Sequence, residues 1–259
     1  MKFRGSFTAL GAGAIVAITC LLVPGRARSQ EIPTGQTVLQ KMHDRYENSW
    51  YNTLTFTQKS TTHNPDGTDK VETWYEAAML PGKLRVDVGP PSEGNGVVLA
   101  DNVLTSFHQG KVSVTRPLVH LLLVLGFDVY HQAPEVTINE VRQKGFDLTR
   151  LFEDTWEGQA VYVIGADKGD LTSKQFWIDK KNLLFVRLIE PSEDDPGKIV
   201  DTRFLDYRQV HGGWVAARVE RYVAGKLVFT EEYSDIQTNV KLDPTVFDPK
   251  QFSSLHWEK

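Results

Sequence analysis

From Leu54 to Asp235, apolar residues return at every second position in short runs, and turn-forming residues close each run. Leu54 and Phe56 alternate with Thr53, Thr55 and Thr57, and Leu84, Val86 and Val88 alternate with Arg85 and Asp87. A side-chain period of two sends successive residues to opposite faces, so these runs read as half-buried β-strands. Between them stand Asn64-Pro65-Asp66-Gly67, Pro81-Gly82, Gln109-Gly110 and Ala224-Gly225, residues that favour tight turns. Short turns join antiparallel neighbours, and the pattern predicts about ten or eleven strands in one up-and-down sheet. A sheet of that size tends to curl. The expected fold is therefore mainly β (α+β): an incomplete, strongly curved antiparallel β-barrel whose apolar face needs a cover.

Two stretches break the period and supply that cover. Thr34 to Tyr51 carries Val38, Met42, Tyr46 and Trp50, each four residues apart, which is one face of a helix with Thr34 as its N-cap. The second stretch is a helical insertion at about residues 117–145. Pro117 to Val129 holds Leu118, Val119, Leu121, Leu122, Leu123, Val124, Leu125 and Phe127, a helix-length run apolar nearly all round. Thr137 to Lys144 reads as a second short helix ending at Gly145. Both stretches are expected to act as a lid.

The N-terminus reads as a secretory signal over residues 1–29. Lys2 and Arg4 are followed by an apolar run from Ala9 to Val23, a break at Pro24-Gly25, and small residues at Ala27 and Ser29. The run is short for a membrane span, for which about 20 residues are needed. Cleavage predicts a periplasmic protein, and an uncleaved segment would instead tether it to the inner membrane. Residues 30–259 read as one domain. Removing the first 29 residues leaves 25 basic against 33 acidic residues, a net charge of −8, and no cysteine. That acidity excludes a general nucleic-acid binder, which needs a basic stripe. Without cysteine there is neither a disulfide framework nor a thiolate zinc site.

Catalytic signatures are missing. The sequence has no Gly-x-Ser-x-Gly elbow, no phosphate-cradling glycine loop and no His-Glu-x-x-His. None of the seven histidines sits at close metal-ligand spacing from another, and His120 within the apolar insertion reads as a hydrogen-bonded core or helix residue. Glu72, Glu76, Asp201, Asp206 and Glu231-Glu232 fall on predicted strands, where nothing separates them from surface charges. No cofactor and no enzymatic activity are expected. Aromatic residues are spread over nearly every strand. They admit two readings, ordinary packing or an apolar cavity for a lipid chain.

Several short motifs, in order, resemble the LolA-like family of periplasmic lipoprotein carriers and outer-membrane lipoprotein-sorting proteins. After the N-terminal helix, Leu54-Thr55-Phe56-Thr57-Gln58-Lys59 is similar to the family's Phe-x-Gln strand. Pro81-Gly82-Lys83-Leu84-Arg85-Val86 resembles its Pro-x-x-Phe-x-Trp stretch. Val98-Leu99-Ala100-Asp101-Asn102, Lys174-Gln175-Phe176-Trp177-Ile178-Asp179 and Phe247-Asp248-Pro249 resemble later segments. The resemblance spans roughly residues 34–250 and implies a non-catalytic half-barrel that binds acyl chains. Phe56, Leu84 and Val86 would face the cavity, with Leu80, Phe107, Leu121, Leu122, Leu125, Phe176 and Ile178 as further lining. Leu80 stands where the family has a lid-latching arginine. The implied partners are acyl chains of a lipid or lipoprotein, an inner-membrane donor and an outer-membrane acceptor. The alternative is an envelope structural or sensor domain whose cavity its own leucine-rich helix fills.

Overall fold

In a computed structural model, described over residues 33–257, the chain opens with a helix whose start two threonines write. Helix α1 (Gly35–Tyr46) is preceded by Thr34, whose hydroxyl accepts from the Thr37 amide at 3.2 Å, while the Thr37 hydroxyl accepts from the Thr34 amide at 2.8 Å. This reciprocal box satisfies donors that a helix start otherwise leaves free. Val38, Leu39 and Met42 are fully buried on one face. The helix stops before the expected Tyr51, but Trp50 remains in the core, stacked on Tyr130 at 3.8 Å. The segment read as a secretory signal lies outside the described residues.

Thirteen strands follow among the described residues. The first six are β1 (Thr53–His63), β2 (Asp69–Met79), β3 (Lys83–Val88), β4 (Gly96–Ala100), β5 (Val103–His108) and β6 (Lys111–Pro117). The insertion comes next, with α2 (Leu121–Gly126), a 3-10 turn at Asp128–Tyr130, and α3 (Pro134–Gln143). The remaining strands are β7 (Leu151–Trp156), β8 (Gln159–Ile164), β9 (Gln175–Asp179), β10 (Phe185–Pro191), β11 (Ile199–Val210), β12 (Gly213–Val223) and β13 (Lys226–Thr238). Asp101-Asn102, Gln109-Gly110, Glu157-Gly158, His211-Gly212 and Ala224-Gly225 take positive φ at both positions, the twist that two-residue hairpin turns need.

All strands join one antiparallel sheet in the order β6-β5-β4-β3-β2-β1-β13-β12-β11-β10-β9-β8-β7. This corrects the expected strongly curved, incomplete barrel of ten or eleven strands. The sheet has thirteen strands, is neither closed nor strongly curved, and ends in two edges, β6 and β7. The expectation took curling as the way so wide a sheet buries itself. Here the chain covers the sheet with separate layers on its two faces, a solution open to wide sheets. The apolar run at 117–129 is also shorter as a helix than expected. Only Leu121–Gly126 is α-helical, because residues 118–120 form no helix and His120, with an extended backbone, caps α2.

One face of the sheet packs against the helices. Leu54, Phe56, Ala78 and Leu99 share a core with Phe176, Ile178, Phe185 and Leu188, and with α1, α2 and Val141 of α3. The opposite face carries two smaller cores. One holds Val161, Val163, Trp177, Val186 and Ile189. The other places Ala77, Val98 and Phe107 beneath Val246, Phe247 and Phe252 of the C-terminal segment.

That segment also covers charge. Arg85 and Asp87, whose alternation with Leu84 and Val86 points them away from the helices, are both fully buried. The Arg85 guanidinium donates twice to the Asp87 carboxylate, at 2.8 and 2.9 Å, and once to the Phe252 carbonyl at 3.0 Å. The Trp257 indole N–H donates to the same carboxylate at 3.0 Å. Buried charges persist only when paired and hydrogen-bonded in this way.

Candidate functional site

Alternation along the central strands sends one residue in two toward the helices, and there the sheet and α2 leave a cavity of about 290 Å³. Its wall runs across Leu54 and Phe56 of β1, Ala78 of β2, Leu84, Val86 and Val88 of β3, and Val97 and Leu99 of β4. Leu104 of β5, Phe204 and Tyr207 of β11, and Trp214, Ala216 and Val219 of β12 extend it. Helix α2 and its flanks contribute Leu122, Leu123, Gly126 and Phe127.

The residues singled out from sequence are distributed as follows. Phe56, Leu84, Val86 and Leu122 line this cavity together. Leu80, Leu121 and Leu125 lie in the same core without lining it, although Leu121 reaches a neighbouring cavity. Phe176 and Ile178 are fully buried there too, with Phe176 edge-on to Phe146 at 5.7 Å. Phe107 is on the other face of the sheet, stacked on Phe252 at 4.0 Å. Its expected place among the cavity residues is corrected. Successive β5 residues alternate faces, and Leu104 takes the cavity side.

Sequence reasoning missed the polar groups inside. Glu76 of β2 and Glu231 of β13 line the cavity with Tyr233 and His120. The Tyr233 hydroxyl donates to Glu231, and its ring stacks on Phe56 at 4.2 Å. Burial, with the Glu231 charge added, pushes the Glu76 carboxyl well above the usual range. Burial likewise pushes Glu231 up to about 7, against the lowering effect of the Tyr233 bond. Burial pulls His120 down to about 4. Its Nδ1 accepts from the Leu123 amide at 3.3 Å, so the neutral ring carries its proton on Nε2.

A second cavity of about 370 Å³ adjoins the first, sharing Trp74, His120, Leu122, Val219 and Glu231 with it. Its wall is mixed, with Lys144, Glu190, Glu193 and Arg221 set among apolar residues such as Leu118, Leu188 and Phe229.

The insertion is tethered over these cavities by hydrogen bonds rather than by an arginine at position 80. Asp128 accepts from the Gly82 amide at 2.9 Å, His131 Nε2 bonds the Tyr51 carbonyl at 2.8 Å, and Tyr130 donates to the Leu183 carbonyl at 3.1 Å. Asn102, in the β4–β5 turn, donates to Glu140 of α3 at 3.1 Å. Among the described residues, no group of three or more His, Cys, Asp or Glu side chains is placed to hold a metal ion. No described helix is long and apolar enough to cross a membrane.

No family model and no curated protein matches the chain. Solved structures do. A LolA superfamily protein from Nitrosomonas europaea superposes with a TM-score of 0.55 at 16% identity, covering 83% of this chain and 98% of that one. An outer membrane lipoprotein-sorting protein domain from Vibrio parahaemolyticus gives 0.57 at 15% identity, over 85% and 98% of the two chains. A DUF1329 family protein from Desulfovibrio piger gives 0.55 at 12% identity, over 82% and 95%. At such low identity the likeness is one of fold.

Proposed function

We propose that this chain is a periplasmic, non-catalytic binding protein that holds acyl chains of a lipid or lipoprotein and carries them toward the outer membrane. The observation that carries the reading is the cavity wall, apolar across β1 to β5, β11, β12 and α2. Its volume lies near the lower end for small-molecule sites, about 300–1,000 Å³. The driving force is burial. Each methylene removed from water contributes about 0.8 kcal/mol, before the cost of immobilising the chain is subtracted. Phe56, Leu84, Val86 and Leu122 are the residues assigned to the acyl chain. The insertion, held by Asp128, His131 and Tyr130, is the element whose movement would release it. Export by the N-terminal segment, a membrane donor and an outer-membrane acceptor complete the proposal. The fold shared with the lipoprotein-sorting domain supports it.

Native mass spectrometry of protein purified from an envelope fraction tests the reading, with Leu84→Glu as its control. Co-purifying acyl-containing mass is expected with the wild type and absent from a folded Leu84→Glu protein. A clean wild-type protein that also fails to bind a fluorescent fatty acid would favour a structural or sensor role. Equal lipid retention by the folded variant would sink the carrier reading.

A further inference from the structure

Where β2, β1 and β13 lie side by side, the face turned to the helices changes from apolar to polar. Phe56 sits opposite Glu76 in the ladder, Gln58 opposite both Trp74 and Tyr233, and Ser60 opposite Glu231. Gln58 and Ser60 are each only 1% exposed, and the Gln58 amide donates to the Ser60 hydroxyl at 2.8 Å. Several groups in this plate lack partners. Gln58 Oε1 and Trp74 Nε1 are buried with none among the described residues. The carboxyl of Glu76, a residue 9% exposed and lining the cavity, makes no hydrogen bond or ion pair among the described residues. Native proteins leave few buried polar groups unsatisfied, and a cluster of them needs an explanation.

The chemistry of the plate favours one kind of guest. Glu76 and Glu231 present carboxyl oxygens to the cavity, and among the described residues no lysine or arginine lines it. Lys144 and Arg221 line the adjoining cavity, which Glu231 also borders, and the Arg221 charge acts on Glu231 from that side. An anionic head group drawn inside would find no cation in this cavity's described wall and would oppose ionisation of both carboxyls, whereas an ammonium would favour their charged form. A head group that donates hydrogen bonds would meet acceptors already desolvated by folding.

We propose that the Glu76–Glu231–Tyr233 plate is a head-group subsite that selects amine-bearing amphiphiles over anionic ones. This rests on the reading of the apolar cavity as a chain-binding site and specifies what the bound chain carries. The ammonium would sit between the two carboxyls, with its chain along Phe56, Leu84 and Val86.

The test titrates the full-length mature protein at neutral pH with dodecylamine, dodecanoate and dodecanol, each below its aggregation limit. The fluorescence of Trp74 and Trp214, both in the cavity wall, reports binding. The expected result is that dodecylamine binds about 10-fold or more tightly than dodecanoate, with dodecanol between them. In a folded Glu76→Gln/Glu231→Gln protein, dodecanol binding should persist while the preference for the amine collapses. Equal binding of all three, or tighter binding of dodecanoate, overturns the head-group assignment and leaves the chain site standing. Binding of none overturns both. Because the wild-type ranking needs no variant, the test survives a double variant that fails to fold.

Discussion

Two carboxylates within this sheet live under opposite constraints. Asp87 is fully buried and satisfied by Arg85 and Trp257. Glu76 is nearly as buried and has no partner among the described residues. Asp87→Ala would strand the Arg85 guanidinium, and breaking a buried pair from one side costs about 3–5 kcal/mol. Urea denaturation should show that loss, and a change below 1 kcal/mol would contradict the arrangement, about the size of a surface pair. Glu231 gives a pH signature. Its folded carboxyl titrates near 7 instead of the ordinary 4.5, so the folded state keeps a proton that the unfolded chain has released. Stability from this group is therefore full below about pH 4.5 and is lost as pH rises toward 7. His120, held neutral by burial, pulls the other way, so the comparison must be between variants. The Tm of Glu231→Gln minus that of the wild type should grow across that window, by about 2–4 °C per kcal/mol in a chain this size. A constant difference would refute it. Alternation already placed Glu76 in phase with Trp74 and Ala78, and Glu231 in phase with Phe229 and Tyr233. What the sequence did not say was which face the helices cover. The carboxyls therefore read as surface charge, and Arg85 and Asp87 read as solvent-facing.

At the scale of elements, local chemistry was the most legible. Thr34 as cap, the alternating strands and the two-residue turns all follow from side-chain and φ preferences that act within a few residues. Thr34→Ala removes one half of the capping box and should cost about 1 kcal/mol, measurable by thermal or chemical unfolding. An unchanged stability would show that α1 is held by packing alone. Gly96 is stricter. With φ at 153°, a β-carbon there would lie 2.0 Å from the Val86 carbonyl oxygen. Gly96→Ala should therefore disrupt β3–β4 pairing and lower soluble yield sharply, and a well-folded, equally stable variant would contradict that register. Strand β7 carries a weak sequence signal, because Leu151 to Trp156 mixes Glu153 and Asp154 with its apolar residues, and as an edge strand it buries only part of one face. The overlong helix over 117–129 had the opposite cause. Continuous apolar residues do not distinguish a helix from an extended segment packed in a core.

The whole-molecule arrangement was the least legible, because it depends on contacts between distant segments. Strand number and sheet width do not dictate closure when other parts of the chain supply cover. The C-terminal segment shows this, since residues 244–257 return to bury Ala77, Val98, Phe107 and the Arg85–Asp87 pair. Truncation after Asp243 should expose that core and the pair together. The expected outcome is loss of soluble protein or a Tm lower by more than 10 °C, about the effect of several kcal/mol. A truncated protein as stable as the whole would show that the segment is dispensable.

The centre of the sheet has a consequence in time. Strand β1 pairs with β13, so Thr57 lies opposite Ser234 across the middle of the molecule. The first strand must wait for the last, and the two halves cannot be joined until translation has passed Thr238. Contacts of such long sequence separation form slowly. Under the export proposed above, in which the chain would cross a membrane as an extended thread, that delay would be an advantage, because the central seam could not form prematurely and block the passage.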